Sequence, residues 1–273
     1  MQRIVLTIDV EDWFHILDYD GVGGVDGWYG RESRIDANMD RILSILDEYG
    51  LKATFFCLGW VGEQFPQIIK RIADADHEIA SHSYEHALVY TMSESIFKED
   101  ASRSRAILEV VSSKKVIGYR APGFSVNSSV PWFFDALQDC GYRYDSSIFL
   151  ADRAHGGWVD FDEGMPGREF YDGILEIPLP AASIMGRPVF WSGGGYFRIT
   201  PSWLHKILAR RTENAVFYLH PRDLDIGQPK LSLPPLRHFK YYAGIGQAEL
   251  RFRKFLNAFE FETCEEVWQR SSS

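Results

Sequence analysis

The sequence predicts an α/β fold, and it favours a barrel of parallel strands over a doubly wound sheet. Short apolar runs alternate with segments whose apolar residues recur at helical spacing. Because the strand ends of a barrel converge, polar residues that follow strands meet at one end. Six such residues follow predicted strands: Asp9, Glu11, His82, Arg120, Asp145 and His220. We expect one domain over residues 1–273.

Seven segments are predicted to be strands because they are short, apolar and bounded by turn-forming or polar residues. In chain order they are 3–8, 53–58, 78–81, 116–119, 142–144, 175–179 and 215–219. Helical spacing predicts helices at 35–49, 66–75, 92–111, 129–140, 203–211 and near 248–258. Gly50 and Gly141 end two of these helices, and Ser93 is a candidate N-cap for the third. The Gly- and Asp-rich segments 18–31 and 151–172 are predicted loops, and 191–197 is a predicted turn.

The composition excludes several classes of partner. The chain has 273 residues, 45% hydrophobic and 25% charged, which is ordinary for a globular protein. Its net charge is −9 and it has no long basic run, so we expect neither nucleic acid nor an anionic membrane as a partner. No run of 18 apolar residues is present, so we expect no transmembrane segment.

The cysteines indicate a reducing compartment. Cys57, Cys140 and Cys264 are odd in number and widely spaced, which is typical of buried thiols and not of a disulfide framework or a zinc cluster. The N-terminus shows no secretory signal pattern. Together these features predict a cytoplasmic protein.

The chemistry is concentrated in two segments. His82 and His86 are separated by three residues, so both rings can face one point. The segment 9–12, Asp-Val-Glu-Asp, closes the first apolar run and offers a carboxylate. Two imidazoles and one carboxylate are the minimum set for an open, catalytic divalent-metal site. Zn²⁺ is the first choice, but this ligand set also accepts Co²⁺ or Ni²⁺.

Five motifs in order resemble those of the NodB-homology polysaccharide deacetylases (carbohydrate esterase family 4). They are Thr-Ile-Asp-Val-Glu-Asp at 7–12, His-Ser-Tyr-Glu-His at 82–86, Arg-Ala-Pro-Gly at 120–123, Asp-Ser-Ser-Ile-Phe at 145–149 and Leu-His at 219–220. The resemblance covers roughly residues 4–220, with 221–273 as a C-terminal closing segment. Segments 9–14 and 193–198 and the pair His220-Pro221 are similar to an exopolysaccharide-associated bacterial subgroup.

The resemblance implies a distorted (β/α)7 barrel that removes N-acetyl groups from an amino sugar with the help of a divalent metal. It implies Asp9 as the base that deprotonates water at the metal, Arg120 as the residue that orients Asp9, and His220 as the general acid. It implies that Asp145 holds His220. His82 and His86 fall on metal ligands, and a backbone N–H near the turn at 119–122, beginning with Tyr119, would help to stabilise the oxyanion.

The first motif departs from the family pattern of two adjacent aspartates, because Val10 follows Asp9. Alternation along an extended chain puts Asp9 and Glu11 on one side, so Glu11 is the favoured third metal ligand. Asp12 is the alternative.

Other candidates keep two interpretations each. Trp28, Trp158 and Trp191 are candidates for stacking on sugar rings, with Trp191 the first choice for substrate binding, although aromatic residues also fill cores. Gly193-Gly194-Gly195 forms either a tight turn or a close approach for sugar. The segment 222–225, Arg-Asp-Leu-Asp, either contacts substrate or forms a salt-bridged loop.

The sequence therefore predicts a cytoplasmic N-deacetylase that acts on an N-acetylated sugar or glycan precursor for a surface glycan or exopolysaccharide. Two alternatives remain: a hydrolase of a small non-sugar amide on the same fold, and a catalytically dead barrel that binds glycan. A homo-oligomer is possible, because aromatic loops serve interfaces as readily as sugar grooves.

Overall fold

Each of the seven segments predicted to be a strand overlaps a strand of the structure. The computed structural model describes residues 3–17, 21, 24–150, 155–158, 170–171, 173–179, 181–185 and 187–273. The strands in this part of the chain are β1 (Arg3–Val10), β2 (Thr54–Cys57), β3 (Glu78–Ser81), β4 (Gly118–Tyr119), β5 (Tyr144–Asp145), β6 (Phe170–Tyr171), β7 (Ile174–Glu176), β8 (Ala182–Ile184), β9 (Arg187–Val189), β10 (Val216–Leu219) and β11 (Glu260–Glu262).

Seven parallel strands form a distorted, open barrel, which confirms the expected architecture. Their order is β10-β1-β2-β3-β4-β5-β7, and each neighbouring pair is parallel. Strand β6 pairs antiparallel with β7 at one edge. β1 is buried from its second residue to its last, as expected for a parallel strand covered on both faces.

The strand register brings the polar residues of the sequence motifs to one end of the barrel. The ladder between β1 and β10 ends one residue before Asp9 and His220. The ladder between β3 and β4 ends one residue before His82 and Arg120. The carboxyl ends of four strands therefore carry these side chains at a common level.

Helices cover the outside of the strands and bury their apolar faces. They are α1 (Gly24–Trp28), α2 (Ile35–Glu48), α3 (Gly59–Gln64), α4 (Pro66–Asp74), α5 (Glu94–Ser112), α6 (Phe133–Asp139), α7 (Gly194–Ile199), α8 (Ser202–Arg210), α9 (Pro235–Tyr242), α10 (Ile245–Leu256) and α11 (Cys264–Ser271). Ser93 caps α5 as predicted, because its side chain accepts a hydrogen bond from the N–H of Ile96.

Some elements differ from the sequence prediction. Helix α1 lies in the predicted loop 18–31 and α7 lies in the predicted turn 191–197; both are short and glycine-rich, so their local signal is weak. The hairpin β8–β9, the strand β11 and the helices α3, α9 and α11 were not predicted. Of the predicted loop 151–172, residues 151–154, 159–169 and 172 lie outside the described residues, as do 18–20 and 22–23 of the first loop.

The C-terminal segment returns to the first strand. β11 pairs in parallel with Arg3–Val5 of β1, below the ladder that β1 forms with β10. Helix α11 begins with a capping box between Thr263 and Glu266. The N–H of Cys264 donates to Oγ1 of Thr54 at 2.8 Å. These contacts attach the end of the chain to β1 and β2.

The prediction that the cysteines are buried thiols is confirmed, because Cys57, Cys140 and Cys264 are buried and are not joined in disulfides. No helix in the described part of the chain is both long and apolar enough to cross a membrane.

Gly118 shows how closely β4 packs on β5. A Cβ atom at this position would lie 1.9 Å from Cζ of the fully buried Tyr144. We expect Gly118→Ala to lower the free energy of unfolding by about 1–3 kcal/mol, because the core must shift to admit one methyl group. Urea unfolding measures the change.

Gly246 in α10 provides the matched control, because a Cβ there meets nothing within 4 Å. Gly246→Ala should leave stability unchanged or raise it by up to about 1 kcal/mol. Equal urea midpoints for the two variants would show that the close contact between β4 and β5 is wrong.

Candidate active site

The first strand supplies two carboxylates to the carboxyl end of the barrel. Asp9 is the penultimate residue of β1, and Glu11 follows the strand directly. The N–H of Glu11 donates to the carbonyl oxygen of Asp9 at 2.9 Å, which bends the chain. Val10 lies between them in the core. Carboxylate oxygens of Asp9 and Glu11 lie together beside His220, as strand alternation predicts.

The loop after β3 places two imidazoles against Glu11. Nε2 of His82 lies 3.2 Å from Oε1 of Glu11, and Nε2 of His86 lies 3.0 Å from the same oxygen. The loop is not a helical turn, because Ser83 and His86 have φ angles of +69° and +56°. Left-handed backbone is costly for residues other than glycine.

Helix α5 holds this loop in its unfavourable conformation. The carboxylate of Asp100 accepts hydrogen bonds from the N–H groups of Tyr84 and Glu85 at 3.0–3.1 Å. The hydroxyl of Ser104 donates to the carbonyl oxygen of Ser83 at 3.1 Å. The loop that carries both histidines is therefore anchored by a buried carboxylate and a hydroxyl.

The donor set of Glu11, His82 and His86 fits a divalent metal. Nδ1 of His82 lies 2.7 Å from the carbonyl oxygen of Arg120; Nδ1 must therefore carry the proton, which leaves the lone pair on Nε2. The three candidate ligand atoms lie within 4.8 Å of one another, and all three residues are buried. Two imidazoles and one carboxylate form a facial triad that accepts Zn²⁺ and other first-row metals.

The protonation states of this triad also suit a cation. Burial alone would raise the pKa of Glu11, but the charges of His86 and His220 hold that pKa well below its usual value. Burial lowers the pKa of His86. Metal ligands bind as ionised carboxylates and neutral imidazoles, and both shifts favour these forms.

Asp12, the alternative third metal ligand, binds the N-terminus of α2. Its Oδ2 accepts hydrogen bonds from the hydroxyl of Ser33 at 2.7 Å and from the N–H groups of Arg34 and Ile35 at 2.9 and 3.2 Å. Its Oδ1 accepts from the N–H of Trp13 at 2.7 Å. Asp12 thus caps the N-terminus of α2, and its carboxylate oxygens face the helix.

A buried arginine orients Asp9. Arg120 is fully buried, and its Nη1 donates to Oδ1 of Asp9 at 2.7 Å and to the hydroxyl of Thr7 at 2.8 Å. Its Nε and Nη2 donate to the carbonyl oxygen and hydroxyl of Ser146 at 3.0 and 2.9 Å. The arginine therefore joins β1 to the turn after β5 and fixes the direction of the Asp9 carboxylate.

The partner of His220 is Asp223, not Asp145 as the resemblance implied. Nδ1 of His220 lies 3.0 Å from Oδ2 of Asp223, which also accepts the backbone N–H of His220 at 2.9 Å. Nη1 of Arg198 lies 2.9 Å from the other oxygen of Asp223. The short 3₁₀ helix Pro221–Leu224 turns the chain after β10, so a residue three positions later reaches the imidazole.

This arrangement sets the charge of His220. Burial alone would lower the pKa of His220, but the Glu11 charge and the hydrogen bond with Asp223 raise it above its usual value. Burial would also raise the pKa of Asp223, whereas Arg198 and His220 lower it. Nε2 of His220 then lies 3.9 Å from Oδ2 of Asp9 and 3.7 Å from Oε1 of Glu11.

The triplet Gly193-Gly194-Gly195 leaves room for the side chains of Asp223 and Tyr218. A Cβ on Gly194 would lie 1.8 Å from Oδ2 of Asp223, and a Cβ on Gly193 would lie 2.2 Å from the hydroxyl oxygen of Tyr218. Gly193 also has a φ angle of +96°. The triplet is therefore a turn that lets the His220–Asp223 pair approach the backbone of α7.

Asp145 forms a carboxyl pair below the site. It is the cross-strand neighbour of Glu176, and both carboxyl groups are buried. Burial raises the pKa of Asp145 to about 6, and burial together with the Asp145 charge raises the pKa of Glu176 further. Asp145 also accepts from the N–H and hydroxyl of Ser147, whose oxygen accepts the N–H of Ala121 at 2.7 Å. The pair thus supports the turn that carries Arg120.

The two residues predicted to bind substrate lie in the core. The ring of Tyr119 is buried against Phe97, Phe133 and Tyr142. Trp191 is fully buried, and its Nε1 donates to the hydroxyl of Thr212 at 2.8 Å. The buried ring of Trp191 therefore cannot stack on a sugar, and the role that the resemblance implied at Tyr119 concerns its backbone N–H and not its ring.

The structure also bears on the other predicted substrate contacts, which are Trp28, Trp158 and the N–H groups of the turn at 119–122. Trp28 is buried, and Trp158 is half-buried against the core. In the turn at 119–122, the N–H of Arg120 donates to the carbonyl oxygen of Ser81 and that of Ala121 donates to Ser147. These two N–H groups are therefore already used within the protein.

Comparison with known proteins gives one family match in each half of the chain. The family model "Polysaccharide deacetylase" matches residues 26–144, and "Domain of unknown function (DUF3473)" matches residues 146–269. The chain is therefore similar to polysaccharide deacetylases over residues 26–144, somewhat less than half of its length.

Individual relatives share only part of the chain. The peptidoglycan deacetylase of Helicobacter pylori is 26% identical over 175 residues, which cover 58% of this chain and 59% of that protein. A peptidoglycan-N-acetylglucosamine deacetylase of Bacillus cereus is 37% identical over 84 residues, 31% of this chain and 28% of that protein. The chain therefore spans less than two thirds of either relative.

A solved structure covers nearly the whole fold. The crystal structure of a Mycobacterium smegmatis protein to which polysaccharide deacetylase activity is ascribed has a TM-score of 0.61 and 23% identity. It covers 98% of this chain and 89% of that chain. This likeness supports the barrel.

The third ligand can be tested by metal content. We expect Glu11→Gln to lose bound Zn²⁺ and Asp12→Asn to retain about one ion per chain, because only Glu11 lies within reach of both imidazoles. Elemental analysis after Zn²⁺ loading and desalting measures the ratio.

Asp12→Asn also serves as the matched control, since it removes a neighbouring carboxylate charge. Asn keeps an acceptor oxygen for the helix N-terminus, so this variant should lose mainly the attraction between the carboxylate charge and the helix dipole, about 0.3–1 kcal/mol of stability. Loss of metal from Asp12→Asn with retention in Glu11→Gln would reverse the assignment.

Proposed function

We propose that this protein is a metal-dependent N-deacetylase of an amino-sugar unit in a glycan or glycan precursor. The observation that carries the proposal is the position of Asp9 and His220. Their side chains lie 3.9 Å apart beside the Glu11, His82 and His86 triad. A base and an acid next to one candidate metal site are what amide hydrolysis requires.

Glu11, His82 and His86 are the residues that would hold the metal. A divalent ion there supplies Lewis-acid polarisation of the amide carbonyl oxygen and of the attacking water. Zn²⁺ is our first choice, with Co²⁺ or Ni²⁺ as alternatives.

Asp9 acts as the base. Its Oδ1 is bound to Arg120, so Oδ2 is the oxygen that accepts the proton of the attacking water. The water oxygen bonds to the acetamide carbon. Because Arg120 is buried and saturated by Thr7 and Ser146, it holds the carboxylate in one orientation during the step.

His220 acts as the acid. Asp223 binds Nδ1, so the proton on Nε2 faces the reaction site. That proton passes to the sugar nitrogen as the carbon–nitrogen bond breaks. The products are acetate and a free amine.

Two other functions fit the fold less well. A hydrolase of small non-sugar amides would use the same acid and base, and the glycan relatives favour a sugar substrate. A dead glycan-binding barrel would be expected to lack part of the site, whereas each predicted ligand, base and acid position is filled. Cytoplasmic action on an exopolysaccharide precursor stays a prediction.

Acetate release tests the function directly. We expect Zn²⁺-loaded protein to release acetate from N-acetylglucosamine oligomers, and Asp9→Asn to lower the rate by about 10²–10⁴-fold while still binding Zn²⁺. An enzymatic acetate assay beside elemental analysis measures both. Full metal occupancy without acetate from any N-acetylated sugar would overturn the proposal.

The pH profile tests the role of Asp223. His220 must be protonated to act as the acid, so activity falls as pH rises through its raised pKa. We expect Asp223→Asn to lower that pKa and to move the alkaline limb of kcat/KM to lower pH, because the imidazolium loses its carboxylate.

Asp145→Asn is the control for this experiment. It alters a buried carboxyl that accepts hydrogen bonds from the N–H and hydroxyl of Ser147 and lies beside Glu176 on the next strand. Its alkaline limb should stay with the wild type even if the rate falls. A larger shift in Asp145→Asn than in Asp223→Asn would restore the role that the resemblance implied for Asp145.

A further inference from the structure

Arg222 is a cation beside the candidate metal site that the proposed mechanism does not use. It is the second residue after His220, in the 3₁₀ helix Pro221–Leu224. Its Nη2 lies 3.7 Å from Oε2 of Glu11, and its guanidinium carbon lies 5.2 Å from the ring centre of Tyr241. Its side chain is 13% exposed, against 2–4% for the three candidate metal ligands. The residue therefore stands at the open side of the site.

The neighbouring carboxylates have arginine partners of their own. Three such pairs surround the site: Asp9 with Arg120 at 2.7 Å, Asp223 with Arg198 at 2.9 Å, and Asp225 with Arg34 at 2.5 Å. The nearest carboxylate to Arg222 is Glu11, and its Oε1 faces both imidazoles. At 3.7 Å, the contact between Arg222 and Glu11 is longer than a hydrogen bond.

The guanidinium of Arg222 also has an N–H donor that is not used within the described part of the chain. Nη1 of Arg222 is buried and has no hydrogen-bond acceptor among the described residues. A buried N–H group of an ion is costly when it has no acceptor, because the group has lost its water and gained no partner. The planar fork of arginine matches two oxygens of a carboxylate or a phosphate.

We propose that Arg222 binds an anionic group of the substrate, a carboxylate or a phosphate, next to the N-acetyl group that is removed. This inference rests on the proposed function and narrows its substrate class. It selects glycans or precursors that carry a negative charge on or beside the acetylated sugar. Neutral N-acetylated sugars remain substrates, but weaker ones.

The competing explanation is that Arg222 only balances the charge of Glu11. In that case its removal would affect neutral and anionic substrates equally. The ratio between the two kinds of substrate therefore separates the explanations, whatever happens to the absolute rate.

Calorimetric binding to Zn²⁺-loaded protein tests the inference without turnover. Asp9→Asn serves as the background, with three probes: N-acetylglucosamine, its 1-phosphate and N-acetylmuramic acid. We expect at least one anionic probe to bind about 10- to 100-fold more tightly than the neutral sugar, as a charged hydrogen bond allows. Adding Arg222→Gln should reduce this advantage to about onefold, and Arg222→Lys should retain part of it.

Arg210→Gln is the matched control, because it removes one positive charge from the exposed last residue of α8, whose guanidinium lies over the ring of Phe259. It should keep the full anionic advantage. The two anionic probes distinguish a phosphate from a carboxylate as the group recognised. Equal weakening of all three probes by Arg222→Gln, or no anionic advantage before the substitution, would refute the inference.

Measuring acetate release distinguishes a failure of the Arg222 inference from a failure of the proposed deacetylase function. Acetate from neutral and anionic sugars at equal kcat/KM would leave the deacetylase proposal standing and overturn the role of Arg222. Tight, Arg222-dependent binding of an anionic probe without acetate release by the wild type would do the reverse.

Discussion

The burial of Arg120 beside Asp9 is the constraint on which the rest of the site depends. A guanidinium that is fully removed from water is tolerated only when its charge and its N–H groups are matched. Asp9, Thr7 and Ser146 provide that match and come from two different strand ends. Because the partners lie on β1 and just after β5, the barrel must curve enough to bring these strand ends together. The ion pair and the curvature of the sheet therefore require each other.

The turn that carries Arg120 also positions groups beyond the Arg120–Asp9 pair. The carbonyl oxygen of Arg120 accepts the proton of His82 Nδ1, so the residue that orients the base also fixes the tautomer of a candidate metal ligand. Ser147 links the next N–H of the same turn to Asp145. A change at Arg120 would thus disturb base, ligand and turn at once. Its effects would not add to those of Asp9 or His82, because the three groups share partners.

Local patterns in the sequence were enough for most of the fold and for the innermost residues. Asp9, Glu11, His82 and His86 lie at strand ends, and strand ends can be found from short apolar runs. The parallel order of strands brings such ends together without further information. This is why the candidate metal ligands and His220 could be predicted to meet at one end of the barrel, whereas the roles of Asp9 as base and His220 as acid came from the resemblance to a known family.

Contacts that depend on a turn or on long separation could not be predicted in the same way. Asp223 reaches His220 because a 3₁₀ turn follows β10. Arg198 reaches Asp223 from α7, a helix whose glycines led to the prediction of a turn. The only signal for Asp223 was its position three residues after His220 in a charged segment. The prediction for Trp191 is wrong for another reason, since the sequence around an aromatic residue does not show whether its ring faces the core or solvent.

The site is assembled from both halves of the chain. His82, His86 and Arg120 lie in the part that matches the polysaccharide deacetylase model, whereas His220, Asp223 and Arg198 lie in the part matched by a domain of unknown function. Asp9 and Glu11 precede both. The second half therefore contributes His220, its partner Asp223 and the arginine that balances Asp223, and Nε2 of His220 lies 3.9 Å from Asp9 and 3.7 Å from Glu11. Its role in the proposed chemistry follows from these contacts: the chain before residue 145 provides Glu11, His82 and His86 as candidate metal ligands, and the second half would supply the proton for the departing amine.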